Sequence, residues 1–175
     1  MQASVLAQVP APPAAQEPAQ NQDPFGEEVV LVGKPIVFVA GKVTWDKAYP
    51  TLIDKFKSIS GFLNKQKLAR AGSAITIYTS VYDAGFAYQA AIPLAEAPTK
   101  LPRGTVTAGQ SPVGKALKFV HRGSYESMEM LYEAINNHLD GKGIEKQGLF
   151  FEEYITDPVT TAEDKLVVNV FVLVK

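Results

Sequence analysis

The sequence contains no cysteine and only two histidines, His121 and His138. Disulfide bonds, thiolate metal sites and a cysteine nucleophile are therefore excluded, and we expect no metal site rich in histidine. No stretch approaches the roughly 18 apolar residues that a membrane-spanning helix needs, so we predict no membrane span. Phosphate-binding glycine loops, Gly-x-Ser-x-Gly and His-Glu-x-x-His are also absent from the sequence, and we predict no cofactor.

The chain also has no large excess of positive or negative charge. The chain has 17 Lys and Arg residues against 18 Asp and Glu residues, which gives a formal net charge of -1 at pH 7. Because affinity for nucleic acid rests on clustered basic residues that meet phosphates, we predict no direct nucleic acid binding. The chain does have 175 residues, of which 46% are hydrophobic and 10% aromatic. This is enough to bury the core of one domain.

The first 24 residues differ in composition from the rest, with five prolines, repeated alanine and glutamine, and no lysine or arginine. Such a segment cannot bury enough apolar area to offset its conformational entropy. We predict a disordered tail over residues 1–26 and a domain over residues 27–175. Residues 3–8 resemble the end of a signal peptide followed by a periplasmic linker, so we hypothesise export with a trimmed leader. A cytoplasmic protein with a floppy terminus is the alternative.

The first half of the domain predicts a strand, a helix and two more strands. Residues 29–43 are rich in β-branched side chains and predict one strand. Residues 47–66 carry apolar side chains at helical spacing, with Asp46 as the expected cap. Two strands are predicted over residues 74–81 and 85–94.

A loop over residues 95–114 connects this unit to a second one with the same order of elements. Its strand, helix, strand and strand are predicted at residues 116–120, 126–139, 149–155 and 165–174. The helix is expected to close at Gly141. Two such units predict an α+β fold, with a mostly antiparallel curved sheet and both helices on one face. The other face is then expected to curl around a ligand.

Three segments carry a resemblance to a known family. Residues 114–139, with His121, Gly123 and Tyr125, resemble a strand, a His-x-Gly-x-Tyr turn and an amphipathic helix. Residues 151–154 resemble a Phe-Glu-x-Tyr strand, and Ile77-Tyr78 with the run AAIPL resemble paired strands that end in a hydrophobic-Pro-hydrophobic stop. In this order, from about residue 29 to residue 175, the sequence resembles the GyrI-like small-molecule-binding family.

That family includes the effector-binding domains of multidrug-sensing bacterial transcription activators, free-standing gyrase-inhibitor-like proteins, and a branch reported as hydrolases of cyclopropane-containing toxins. The resemblance implies the duplicated strand-helix-strand-strand fold and a ligand pocket that contains a glutamate. A Pro/Ala tail stands where the activators carry a helix-turn-helix, so direct control of transcription is not expected.

The glutamate is identified by the alternation of side chains along a strand. Phe150, Glu152 and Tyr154 share one face, and Phe151 and Ile155 share the other. If Phe151 and Ile155 pack on the helices, Glu152 and Tyr154 point to the open face, where the resemblance places the pocket. By the same alternation Thr76 and Tyr78 point there from the first unit.

A carboxylate between aromatic rings suits a lipophilic cation, because the rings supply area and cation-π attraction while the charge supplies orientation. Burial should raise the pKa of Glu152 unless tyrosine hydroxyls hydrogen-bond its charged form. A solvated strand edge is the alternative for Glu152-Glu153, and a register slip of one residue would exchange the roles of the two glutamates.

Other residues are weaker candidates. Tyr125 is either an anchor at the helix start or a pocket wall, and Trp45 lines the rim or plugs the core. Gln89 and Asn169, polar residues in apolar strands, either face the open side or pair with each other. His121 is expected to fix its turn rather than to act in chemistry. The predicted ligand-binding residues are Glu152, Tyr154, Tyr78, Tyr125, Trp45, Gln89 and Asn169.

Three functions follow from these observations. The leading prediction is binding of a hydrophobic, cationic or heteroaromatic small molecule. The second is hydrolysis of a reactive compound, with Glu152 and Tyr154 as the catalytic residues. The third is a protein-interaction module like the gyrase-inhibitor-like members. The oligomeric state is left open.

Overall fold

The helices and strands follow the predicted order, with two additions. The computed structural model describes residues 25–175, so the predicted tail, except for its last two residues, and the signal-like residues 3–8 lie outside the described part of the chain. The elements are β1 (Glu27–Leu31), β2 (Pro35–Thr44), α1 (Ala48–Gln66), β3 (Ile75–Tyr82), β4 (Gly85–Pro93), β5 (Thr107–Gln110), β6 (Gly114–Arg122), α2 (Met128–Lys142), β7 (Lys146–Tyr154) and β8 (Val167–Val174).

The strands form one eight-stranded sheet in the order β1-β6-β8-β7-β3-β4-β2-β5, and the pairs are antiparallel. From the centre outward, the first unit runs β3, β4, β2 and the second runs β7, β8, β6. Each unit therefore arranges its strands in the same way, which confirms the α+β prediction of two repeated units. The units meet where β3 pairs with β7, with Thr76 opposite Glu152.

Two strand predictions are wrong. The single strand predicted over residues 29–43 is two strands: β1 ends at Leu31 and pairs with β6, while β2 begins at Pro35 and pairs with β4 and β5. Proline has no N–H to donate to a ladder and is best tolerated at the first residue of a strand, which explains the break. The predicted loop over residues 95–114 contains β5, whose short sequence TAGQ is largely exposed and has no apolar alternation.

The helix ends also differ from prediction. Asp46 does not cap α1, because it lies in a short 3₁₀ turn (Trp45–Lys47) and the residue at the cap, Lys47, makes no side-chain cap bond. Helix α2 continues through Gly141 and ends at Lys142. Gly143, with φ of 64°, takes the left-handed position that follows a helix, so it ends the helix in place of Gly141.

Both helices pack on the same face of the sheet, as predicted. Leu52 and Phe56 of α1 and Ile135 and Leu139 of α2 share one core with Val170 of β8 and its neighbours. Neither helix in the described part of the chain has the length and apolar content to cross a membrane.

The assignment of the two faces is wrong. Phe151 lies on the face without helices, where its ring stacks on that of Phe171 at 4.8 Å between centroids, and Ile155, just beyond the strand, is exposed. Glu152 and Tyr154 therefore point toward the helices and not toward an open face. Alternation separates the two sets of side chains correctly, but it does not say which set the helices cover.

Candidate functional site

Glu152 lies at the centre of the sheet, on the face that the helices cover. Its backbone is opposite Thr76 of β3 on one side and Val170 of β8 on the other. The side chain is 0% exposed. A glutamate in the middle of an apolar sheet is unusual, since burial of a carboxyl without partners costs several kcal/mol.

Three tyrosine hydroxyls donate hydrogen bonds to this carboxyl group. Tyr78 and Tyr154 donate to Oε1 at 2.5 and 3.2 Å, and Tyr132 of α2 donates to Oε2 at 2.9 Å. Two of these tyrosines lie on strands and one lies on a helix. The site is therefore assembled from both halves of the duplicated fold.

Two further hydroxyls lie within hydrogen-bond distance of these tyrosine hydroxyls. The Tyr125 hydroxyl lies 3.3 Å from that of Tyr78, and the Thr76 hydroxyl lies 3.1 Å from that of Tyr154. Since each hydroxyl has one proton and Tyr78 and Tyr154 give theirs to Glu152, Tyr125 and Thr76 must be the donors in these pairs. Five hydroxyls thus orient their protons toward one carboxylate, and such chains of bonds strengthen one another.

Aromatic rings surround the hydroxyl network. The ring of Phe150 stacks on that of Tyr78, with 4.4 Å between centroids and 13° between planes, and it also contacts Tyr132 at 5.5 Å. From α1, Phe56 meets Tyr154 edge-on at 5.4 Å. A carboxylate at the base of an aromatic cluster combines one charge with a large apolar and polarisable surface.

Burial dominates the electrostatics of the site. It raises the pKa of Glu152 from the usual 4.5 to about 7, although the hydrogen bonds from Tyr78, Tyr132 and Tyr154 act in the opposite direction. Burial, together with the nearby Glu152 charge, raises the pKa of each of these three tyrosines well above its usual range. The tyrosines therefore stay protonated and act as donors.

Four of the seven predicted ligand-binding residues converge: Glu152, Tyr154, Tyr78 and Tyr125. Trp45 does not reach them directly. The residue is 47% exposed, and its ring lies 4.9 Å from that of Phe86 and donates from Nε1 to the Asp83 carbonyl oxygen at 3.1 Å. Phe86 separates it from the Tyr78 ring.

Gln89 and Asn169 lie on the opposite face from Glu152. Gln89 is opposite Ile77, whose side chain belongs to the core of the helix-free face. The Asn169 amide donates to Glu153 Oε1 at 3.1 Å, so it does not pair with Gln89. Both side chains point away from Glu152, because their neighbours in the strand, Tyr88 for Gln89 and Val170 for Asn169, belong to the core beneath the helices.

Tyr132 is the residue that the sequence analysis missed. It is not among the predicted ligand-binding residues, yet it is the residue that bonds Oε2 of Glu152. Its spacing of three residues from Ile135 and seven from Leu139, both buried, places it on the helix face that packs on the sheet. His121 has the expected role, since its Nε2 lies 2.8 Å from the Ser124 carbonyl oxygen within the turn before α2.

The donor set does not suit a metal ion. Within residues 25–175 no three His, Asp or Glu side chains gather in a way that could hold one. The groups bonded to Glu152 are neutral hydroxyls, which are weak metal ligands compared with carboxylates and imidazoles.

The sequence matches the family described as the GyrI-like small molecule binding domain over residues 27–175. The chain belongs to this family. The match covers all eight strands and both helices of the GyrI-like domain, and the family is one of small-molecule binders. The comparison with curated proteins found no significant match.

Solved structures share the fold of this GyrI-like domain at low sequence identity. The C-terminal domain of EcmrR is 14% identical, with 86% of this chain and 96% of that one covered and a TM-score of 0.72. SAV2435 bound to tetraphenylphosphonium is 13% identical, with 86% and 93% covered and a TM-score of 0.58. A hydrolase from Listeria innocua is 11% identical, with 86% and 92% covered and a TM-score of 0.62.

The chain spans 57% of the EcmrR chain in its complex with DNA, which is also 14% identical, with a TM-score of 0.73 over 86% of this chain. These likenesses show the fold of the GyrI-like domain alone.

Proposed function

We propose that this GyrI-like domain reversibly binds one hydrophobic, cationic or heteroaromatic small molecule at Glu152. The observation that carries the proposal is a fully buried carboxyl group whose hydrogen-bond partners are all neutral hydroxyls. Five hydroxyls and a ring cluster stabilise this charge, yet none of them neutralises it. A cation supplies the missing charge.

The surrounding rings favour a cation that is also apolar. The stacked pair of Phe150 and Tyr78, together with Tyr132, forms an aromatic cluster, and its two tyrosines bond the carboxylate through their hydroxyls. Ring faces attract cations, by about 2 kcal/mol or more where water is excluded. The neighbour crystallised with tetraphenylphosphonium, a cation with four aromatic rings, supports this class of ligand.

Ligand entry requires part of the shell to move, because Glu152 is 0% exposed. Tyr78 and Tyr154 lie on central strands that are paired on both sides. Tyr125 and Tyr132 belong to the segment between Gly123 (φ 124°) and Gly143 (φ 64°). Glycine changes its backbone angles at low cost, so we expect this segment, which includes α2, to swing away from the sheet when a ligand enters.

The test compares tetraphenylphosphonium with tetraphenylborate, an anion of the same shape, by isothermal titration calorimetry. We expect the wild-type protein to bind the cation and not the anion. Glu152→Gln should lose at least about tenfold in affinity for the cation, since it removes a desolvated charge pair.

Glu153→Gln is the matched control, because Glu153 is adjacent but bonds Asn169 on the opposite face, and a glutamine can keep that bond. Equal affinity of the wild-type protein for cation and anion, or full affinity in Glu152→Gln, would contradict the proposal.

Hydrolysis of a reactive compound is the second candidate. A carboxyl group with a pKa of about 7 is suited to general acid–base work near neutral pH. Turnover of a strained or activated substrate that disappears in Glu152→Gln while its affinity stays intact would favour the enzyme. Binding of the cation without turnover of such substrates favours the binding function.

A further inference from the structure

We propose that the site exchanges a proton for its cation, so that binding of one monovalent cation to a protonated Glu152 releases that proton to solvent. The exchange is balanced: a protonated carboxyl and a free cation become a carboxylate–cation pair and a solvated proton. This inference rests on the proposed binding function and adds the chemistry by which a proton neutralises the empty site.

The hydrogen-bond geometry leaves one acceptor position on Glu152 unfilled. A carboxylate offers about four acceptor positions, two on each oxygen. Tyr78 and Tyr154 fill both positions on Oε1, whereas Tyr132 alone bonds Oε2. The second position on Oε2 is therefore open to a proton, which makes the group a neutral acid.

The site can hold either the proton or the cation, but not both, because it contains a single negative charge. Tyr78 of β3, Tyr154 of β7, and Tyr125 and Tyr132 of the α2 segment are neutral donors. Helix α1 adds Phe56 and Tyr49, with Tyr49 lying against Tyr125. The strands on either side of β7 and β3 add uncharged side chains on the same face. These are Val168, Val170 and Val172 of β8 and Phe86 and Tyr88 of β4.

Two charged groups act on the side chains around this site: the charge of Glu163 contributes to the raised pKa of Tyr49, and the charge of Asp54 contributes to that of Tyr88. With no cationic side chain among the hydrogen-bond partners, a protonated Glu152 beside a bound cation would leave a buried positive charge without a counter-charge. Such a charge costs several kcal/mol even after relaxation. An ionised Glu152 without the cation leaves the opposite charge unpaired. The proton and the cation thus each neutralise the same single charge.

The protonated and ionised forms of Glu152 are equally populated near neutral pH when the site is empty. Because burial raises the pKa of Glu152 to about 7, about half of the empty sites hold the proton at pH 7. If only the ionised form binds the cation, apparent affinity scales with the ionised fraction, which falls from about nine tenths at pH 8 to about one tenth at pH 6. Affinity for the cation should therefore weaken about tenfold over this interval.

Calorimetric titration of tetraphenylphosphonium in buffers with different ionisation enthalpies measures both the Kd and the number of protons released on binding. We expect about one proton released at pH 6, about half at pH 7 and about one tenth at pH 8, with Kd about tenfold weaker at pH 6 than at pH 8. Tyr132→Phe removes a donor to the charged form and should move the midpoint of the Kd profile to higher pH. Glu153→Gln should keep the wild-type midpoint.

The outcomes separate this inference from the function on which it rests. Binding of tetraphenylphosphonium with equal Kd at pH 6 and pH 8 and no released proton overturns the exchange and leaves cation binding standing. Absence of binding at every pH overturns both. A proton release that persists in Glu152→Gln, measured on its residual binding, assigns the proton to another group and also overturns the exchange.

Discussion

Replacement of Glu152 by glutamine should change the stability of the protein in a way that depends on pH. Relative to wild type, the variant should become more stable as the pH rises. The folded state raises the pKa of this group from 4.5 to about 7, while the unfolded chain keeps the ordinary value. Between these values the folded state binds one proton that the unfolded state does not. The free energy of unfolding therefore falls with rising pH over this window, by about 1.4 kcal/mol per pH unit.

The raised pKa of Glu152 stabilises the folded protein only at low pH. The stabilising contribution of a protonated, buried Glu152 is complete below pH 4.5 and is lost once the pH exceeds about 7. Over the whole window this amounts to about 3 kcal/mol, and most of it is lost between pH 5 and pH 8. Glutamine has nearly the same shape and does not ionise. The stability of Glu152→Gln minus that of wild type should increase by about 2–3 kcal/mol from pH 5 to pH 8.

Urea unfolding at pH 5, 6, 7 and 8, extrapolated linearly to water, measures this difference. The subtraction cancels the titration of groups that the two proteins share. Glu153→Gln serves as the control, since it keeps Glu152 and should retain the fall in stability that Glu152 causes. A Glu152→Gln difference that stays constant from pH 5 to pH 8 would refute the assignment of Glu152 as a group that is neutral when buried.

Three further predictions use the same unfolding assay. Tyr132→Phe removes a donor to Oε2, so it should destabilise the protein by about 1.5–3 kcal/mol at pH 8 and by less at pH 5, where the acceptor is neutral. Gly143→Ala should cost about 1 kcal/mol because its φ is 64°, whereas Gly141→Ala, inside the helix with open space beside it, should stabilise by about 0.5–1 kcal/mol. Phe56→Ala should cost about 3–5 kcal/mol, since it opens a cavity beside Tyr154.

Most of the fold could be predicted from local pattern. Apolar spacing located both helices to within a few residues, and β-branched runs located the strands of both units. The boundaries that failed depend on partners distant in sequence. β1 and β2 read as one run because both are β-branched, yet they pair with opposite halves of the sheet. The exposed strand β5 exists because β2 offers it a free edge.

The sequence by itself determined that Glu152 and Tyr154 share a face, because alternation in a strand is a property of the backbone. Motif spacing likewise singled out Tyr78 and Tyr125. Only the tertiary structure decided that this face lies beneath the helices, that Tyr132 completes the shell, and that Gln89 and Asn169 point away. The reason is physical: the pKa and the hydrogen bonds of Glu152 arise from burial by residues distant in the chain, such as Tyr78, which lies 74 residues before it.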